Sequence, residues 1–182
     1  SRILPKKLGG YSIGVLVQSN FGNSLVVNGA PVGRELSKSS FSNSIPYDDD
    51  EGSCMIVIAT DAPLSNRNLK RIAKRAIIGI GKVGGYASNG SGDYVIAFST
   101  YKDTSSHKIT SNRTSVRNNA MTSLFQATVE ATEEAIINSI FMAETITSSF
   151  GKSEELPINE AIKILKKYNS LNWNKELHPW KK

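Results

Sequence analysis

The sequence of 182 residues is one domain's length, and with 39% of its side chains hydrophobic it is too apolar for a disordered chain. Its 22 basic and 16 acidic residues leave a formal charge of +6 (22 − 16), which permits a polyanionic partner without demanding one. The lone cysteine, Cys54, excludes an internal disulfide and any multi-cysteine zinc site, and no apolar run approaches the roughly 20 residues that cross a bilayer.

The start, Ser1-Arg2-Ile3-Leu4-Pro5, shows neither a methionine nor a signal-like apolar stretch, and a cytoplasmic location is the default expectation. Tyr11 to Val17 is rich in β-branched residues and reads as a strand, with Ser24 to Val27 as its hairpin partner across Asn20-Phe21-Gly22-Asn23. From Glu35 to Gly52 the chain is serine-rich, carries the acidic run Asp48 to Glu51, and reads as a solvated loop. A loop longer than about 12 to 15 residues usually has a function of its own.

Cys54 to Ala59 is a continuous apolar run, the pattern of a central strand buried on both faces. Asp61 to Ser65 supplies turn and helix-start chemistry, and Leu69, Ile72, Ala73, Ala76, Ile77 and Ile80 recur at helical spacing. The glycines 79, 81, 84 and 85 are expected to end that helix. As a string, Gly79-x-Gly81-x-x-Gly84 matches a dinucleotide fingerprint, but it closes a helix, where carbonyls repel phosphate, so the cap reading is preferred.

Tyr94 to Thr100 reads as a further strand, entered through Asn89 to Asp93. A long amphipathic helix is expected from Asn119 to about Ser148, with Glu130, Glu133 and Glu134 outside its apolar stripe. A shorter one is expected from Ile158 to Tyr168, after Pro157, with Ala161, Ile162, Leu165 and Tyr168 inward. The last dozen residues read as a loosely held tail.

Two constellations have bland explanations. Arg67, Lys70, Arg71, Lys74 and Arg75 could track phosphates, but no aromatic residues interleave with them to stack on bases, so they read as a solvated helix face and no nucleic-acid partner is expected. His107 and His178 lie in polar segments without ligating neighbours at helical spacing, so neither a metal nor a cofactor is expected.

The informative point is Gly52-Ser53, where the acidic loop meets an apolar strand. A serine there is commonly only a boundary residue. It also suits one specific chemistry, in which the hydroxyl attacks the preceding carbonyl, the acyl group moves from nitrogen to oxygen, and hydrolysis frees Ser53 as an amino terminus whose amine can act as base. Gly52 leaves that carbonyl unobstructed. Cys54 competes as nucleophile, but neighbouring strand residues face opposite ways, which assigns Cys54 to the core. Ser1 is a second rival, less rigidly held because no apolar strand follows it closely.

Gly52-Ser53, then Ile56 to Leu64, Leu69 to Arg75, Asn89 to Asp93 and Phe98 to Thr100, strongly resemble the L-aminopeptidase/D-esterase family, which includes the β-aminopeptidases. The likeness continues through Gly14 to Asn20, Val129 to Ala135 and Ala143 to Thr145, and spans about residues 1–168. It implies an α+β fold, a four-layer αββα sandwich similar to that of amino-terminal nucleophile hydrolases but with different connectivity.

It also implies a self-processing aminopeptidase or amidase with Ser53 as nucleophile, cut after Gly52, so that 1–52 closes the amino-terminal subunit and 53–182 forms the carboxy-terminal one. Asn20 matches the oxyanion donor, and Ser91 and Asp93 match a serine and an acidic residue beside the nucleophile. The implied partners are an amino-terminal segment of the same precursor, which supplies substrate-binding side chains, further copies in a homo-oligomer, and a peptide or amide substrate. Acyl transfer of the ornithine acetyltransferase type is the alternative within this fold, although a threonine nucleophile would be expected there. A non-catalytic module using the basic helix face is the alternative outside it.

Overall fold

The computed structural model describes residues 1–20, 24–39, 52–102, 115–149 and 151–172. In chain order they form β1 (Arg2–Ile3), β2 (Ser12–Asn20), α1 (Val32–Ser39), β3 (Ser53–Thr60), α2 (Asn66–Lys82), β4 (Tyr94–Ser99), α3 (Met121–Phe141), β5 (Ile146–Ser148), β6 (Gly151–Ser153) and α4 (Ile158–Lys167). The first four strands make one sheet in the order β1-β2-β3-β4. β2 runs antiparallel to both β1 and β3, whereas β3 and β4 are parallel. A parallel pair needs a crossover, and α2 supplies it.

The apolar run of the sequence becomes β3, but the expectation that both its faces are buried fails. Cys54, Ile56, Ile58 and Thr60 are buried, while Met55 is exposed and Ser53, Val57 and Ala59 are only partly covered. The physical reason is that both layering helices lie on one side. Ile72, Ala76 and Ile80 of α2 and Leu124, Ala127, Ala131 and Ile136 of α3 pack with Ile13, Ile56 and Ile58 into the main core. Each large aliphatic side chain among them contributes roughly 1.5 to 3 kcal/mol by leaving water. On the other side the register aligns Gln18, Met55 and Tyr94, and likewise Leu16, Val57 and Ile96. There Leu16 is 71% exposed, Tyr94 64%, Ile96 61% and Met55 and Phe98 45% each, so one sheet face carries a broad apolar surface.

Cys54 is 1% exposed and faces the helices, as the alternation of side chains requires. Burial, reinforced by the nearby charge of Asp93, pushes its thiol up to about 11.

The α2–α3 contact depends on one small residue. A Cβ on Gly79 would stand 2.7 Å from Thr132 Cβ and 3.0 Å from the Val129 carbonyl oxygen, so the glycine sets how closely the helices approach. Gly79 and Gly81 therefore lie within α2 rather than ending it; the left-handed residue after the helix is Gly84, at φ 98°. Ser65 caps the other end, its Oγ accepting the Asn68 N–H at 3.4 Å. In α3 the helical spacing of Leu124, Thr128, Thr132 and Ile136 predicts a buried stripe; all four are buried, and Met121, Ala127 and Ala131 are buried with them. Thr128 and Thr132 are fully buried, and their hydroxyls donate to the carbonyls of Leu124 and Thr128 at 2.7 and 2.8 Å, which satisfies them without a partner outside the helix. Glu130 and Glu134 lie outside the core, as expected, and pair with Arg2, while Glu133 pairs with Lys82.

Four further expectations need correction. Ser24 to Val27 does not pair with β2, whose partners are β1 and β3; Val27 forms only an isolated bridge to Ala30. Of the expected loop, Glu35 to Ser39 belongs to α1, which starts behind Pro31, where the ring's fixed φ suits a first helical turn; residues 40–51 lie outside the described residues. α3 stops at Phe141, short of Ser148, because Thr145, Ile146 and Thr147 are β-branched and lead into the small β5–β6 hairpin. Tyr168 is 43% exposed rather than inward, while Ala161 and Leu165 are buried as expected, against Leu25, Ala30 and Val32. Most of the expected tail, 173–182, lies outside the described residues.

This packing makes two expectations measurable. A Cβ added at Gly81 would meet no atom within 4 Å, so Gly81→Ala should gain about 0.5 to 1 kcal/mol in helix propensity, whereas the clash at Gly79 should make Gly79→Ala a net loss of about 1 to 2 kcal/mol. Denaturation midpoints of the two variants should therefore move in opposite directions, and movement the same way contradicts the close α2–α3 contact. Second, a buried thiol that stays protonated up to about pH 11 should not react with an aromatic disulfide reagent at neutral pH until the protein is unfolded. Stoichiometric labelling of the native protein would show Cys54 to be accessible.

Candidate active site

Strand directions bring the sequence-predicted residues to one end of the sheet. β2 finishes at Asn20, its antiparallel partner β3 begins at Ser53, and the parallel β4 begins at Tyr94, just after Ser91 and Asp93. Asn20 and Ser53 are direct partners in the ladder, so the two side chains leave the same face of the sheet. α2 returns antiparallel to β3 and delivers its last turn, with Ile80, to the same end.

Asn20, Gly52, Ser53, Ser91 and Asp93 all line one small pocket, a space of about 30 Å³. Within it the Gly92 N–H donates to Ser53 Oγ at 3.2 Å. The Ser91 hydroxyl donates to Asp93 Oδ2 at 2.8 Å, which fixes the carboxylate at the pocket wall. An amide donating to the serine oxygen holds the side chain in one orientation and leaves the hydroxyl proton free to be taken by a base. A Cβ on Gly92 would lie 3.4 Å from Ser53 Oγ and 3.6 Å from the Tyr94 ring: it would fit, but would crowd the oxygen. A Cβ on Gly52 would lie 3.4 Å from the Asn20 carbonyl oxygen, so the chain before Ser53 runs tight against the end of β2.

The two rivals do not share this position. Cys54 also borders the pocket, but its thiol is directed into the core and remains a neutral thiol. Ser1 does not line the pocket. Gly92, whose contribution is a backbone amide, was missed by the sequence reading, as were Ile80, Tyr86 and Ala87 of the pocket wall; the glycine between Ser91 and Asp93 was the one available signal.

The basic face of α2 is only partly solvated. The Arg71 and Arg75 guanidinium groups lie 5.0 and 4.0 Å from the centre of the Phe125 ring, and Arg71 also donates to Asn118 Oδ1 at 2.8 Å. Two of the five cations thus hold α2 against α3, and Arg67, Lys70 and Lys74 remain exposed. His107 and His178 lie outside the described residues, and among the described residues no His, Cys, Asp or Glu cluster could hold a metal ion.

Known proteins share this fold. Residues 1–154 match the family model of peptidase family S58. The β-peptidyl aminopeptidase BapA of Sphingosinicella microcystinivorans is 41% identical over 189 residues, covering 94% of this chain and 47% of that protein. A β-aminopeptidase from Burkholderia sp. superposes with a TM-score of 0.76 at 34% identity, over 91% of this chain and 47% of that one. The L-aminopeptidase D-Ala-esterase/amidase of Ochrobactrum anthropi, a variant of the Ntn hydrolase fold, superposes with a TM-score of 0.65 at 24% identity, over 89% of this chain and 49% of that one, a likeness of fold. The chain spans about half the length of these relatives. A mixed α and β fold of this type, together with a family match that runs from Ser1 past the end of α3, means that the chain belongs to peptidase family S58.

Proposed function

We propose that this chain is part of a cofactor-independent aminopeptidase or amidase that acts through an acyl-enzyme on Ser53. The observation that carries the reading is the Gly92 amide on Ser53 Oγ, in a pocket shared with Asn20 and Asp93. In maturation the Ser53 hydroxyl attacks the Gly52 carbonyl carbon. The C–O bond forms as the C–N bond breaks, the proton passes to the departing nitrogen, and water then hydrolyses the ester to leave a Gly52 carboxylate and a free Ser53 amine.

In turnover the same oxygen attacks the carbonyl of the substrate's first residue. The Ser53 amine takes the hydroxyl proton and passes it to the leaving amine, and water releases the acyl group. The Asn20 side chain stabilises the developing oxyanion, a contribution often worth about 3 to 4 kcal/mol for one donor. Ser91 and Asp93 hold the polar wall beside Ser53. Small peptides, amides and esters with a free amino terminus are the substrate class, and peptides beginning with β-amino acids belong in the first panel because two relatives are named for that activity.

The same proposal assigns the open sheet face to a second sheet, contributed by an amino-terminal segment of the precursor, which completes the four-layer sandwich; processed units then assemble into a homo-oligomer. Support comes from Leu16, Tyr94 and Ile96, each more than 60% exposed on one face, an apolar surface that a soluble monomer seldom leaves bare.

Ser53→Ala should leave one uncut polypeptide, and fragments of normal size from that variant contradict self-cleavage. Asn20→Ala in the processed protein should lower kcat by about 10²- to 10³-fold with a smaller change in KM, and an unchanged rate removes Asn20 from the reaction. Residues 1–182 produced alone should associate or bind an apolar dye through the uncovered face. A soluble monomer that binds no dye and unfolds in one cooperative step argues against a covering layer.

A further inference from the structure

Beyond the groups assigned to chemistry, the pocket has a second wall made by the end of α2 and the loop that follows it. We infer that this wall is the subsite for the side chain of the substrate's first residue, and that Tyr86 sets which side chains enter; the inference rests on the hydrolase reading above. Ile80, Gly85, Tyr86, Ala87 and Ser88 border the same space as Ser53. An acyl group attached to that oxygen must therefore place its side chain against them or against whatever faces them across the open sheet.

The loop is built to hold its shape. At its start the Val26 N–H donates to the Val83 carbonyl at 2.9 Å, and a Cβ on Gly84 would fall 1.9 Å from the Ser24 carbonyl oxygen, so only glycine lets the loop lie this close to that segment. At its far end the Ser91 N–H donates to the Ser88 carbonyl at 2.9 Å. Between these anchors Ala87 sits at φ 53°, a left-handed conformation that a non-glycine residue adopts only when its surroundings impose it. Strain of this kind, held beside a reactive group, is a recurrent mark of a positioned binding wall.

The chemistry of the wall defines what it accepts. Ile80 and Ala87 are apolar, Tyr86 is 60% exposed, and among the described residues the one charged group lining the space is Asp93. An acidic side chain thus finds no lysine or arginine among the described lining residues and meets a carboxylate. Tyr86 is the one aromatic side chain among the lining residues, so it is the bulk that an alanine- to valine-sized side chain clears more readily than a larger one.

The test measures kcat/KM for p-nitroanilides of alanine-sized and phenylalanine-sized first residues, in the α- or β-amino series that the complete processed protein hydrolyses. Wild type should favour the small residue. Tyr86→Ala should raise the large-to-small ratio at least tenfold, mainly through KM of the large substrate, and Tyr86→Trp should lower it. Complete cleavage after Gly52 on a denaturing gel shows that each variant has folded, and the Trp variant keeps the test decisive if the Ala variant does not. Hydrolysis by all three proteins with a ratio constant within twofold overturns the subsite alone. Absence of hydrolysis by the wild type, across both amino-acid series, overturns the hydrolase reading and the subsite with it.

Discussion

The antiparallel ladder between β2 and β3 is the constraint on which the rest of the molecule depends. It pairs Ile13 with Thr60 at one end and Asn20 with Ser53 at the other. Because ladder partners project to the same side, this register decides that a carboxamide and a hydroxyl leave the sheet together, a few ångströms apart. A shift of one residue would turn every side chain of β3 to the other face. Ser53 would then enter the core in place of Cys54, and Ile56 and Ile58 would lose their contacts with α2 and α3. The hydrophobic core thus enforces the site: the aliphatic burial that stabilises one face leaves only one position for the residue at the mouth of the strand.

The parallel pairing of β3 with β4 adds the third component. A helix that crosses back over the sheet returns the chain to the end where the strand began, so the segment entering β4 arrives beside Ser53, bringing the Gly92 amide and the Ser91–Asp93 pair. The closeness of that return depends on Gly79 against Thr132 and on Gly84 against the Ser24 carbonyl, two places where a methyl group has no room. Small residues far from the reacting oxygen therefore fix where the pocket wall lies.

The elements written in local periodicity were legible in the sequence. β3, α2, β4 and α4 appear where β-branched runs or helical spacing place them, and Ser65 caps α2 as its residue type suggests. What stayed hidden was decided by partners distant in the chain. Ser24 to Val27 has strand-like residues but meets Val83 rather than β2, and β3 looked doubly buried because its alternate residues are apolar on both sides although helices cover only one. Residue chemistry alone led to Gly52-Ser53 and to Cys54 in the core. Asn20, Ser91 and Asp93 entered through a family resemblance, and the pocket gathers all of them. Gly92 contributes a backbone amide, which nearly every residue has, so the glycine between Ser91 and Asp93 is its one faint mark in the sequence.

The Gly52–Ser53 bond lies where the sheet can tolerate interruption. All eight pairs of the β2–β3 ladder join residues on opposite sides of that bond, and β3 begins with Ser53 itself, so breaking the bond removes none of them. The two pieces remain stitched by a full antiparallel ladder and by the contacts of β1 and β2 with α3. Covalent continuity at this point is dispensable to the architecture, which makes it a natural junction for fragment complementation: two separately encoded polypeptides that meet here have the whole strand interface with which to find each other.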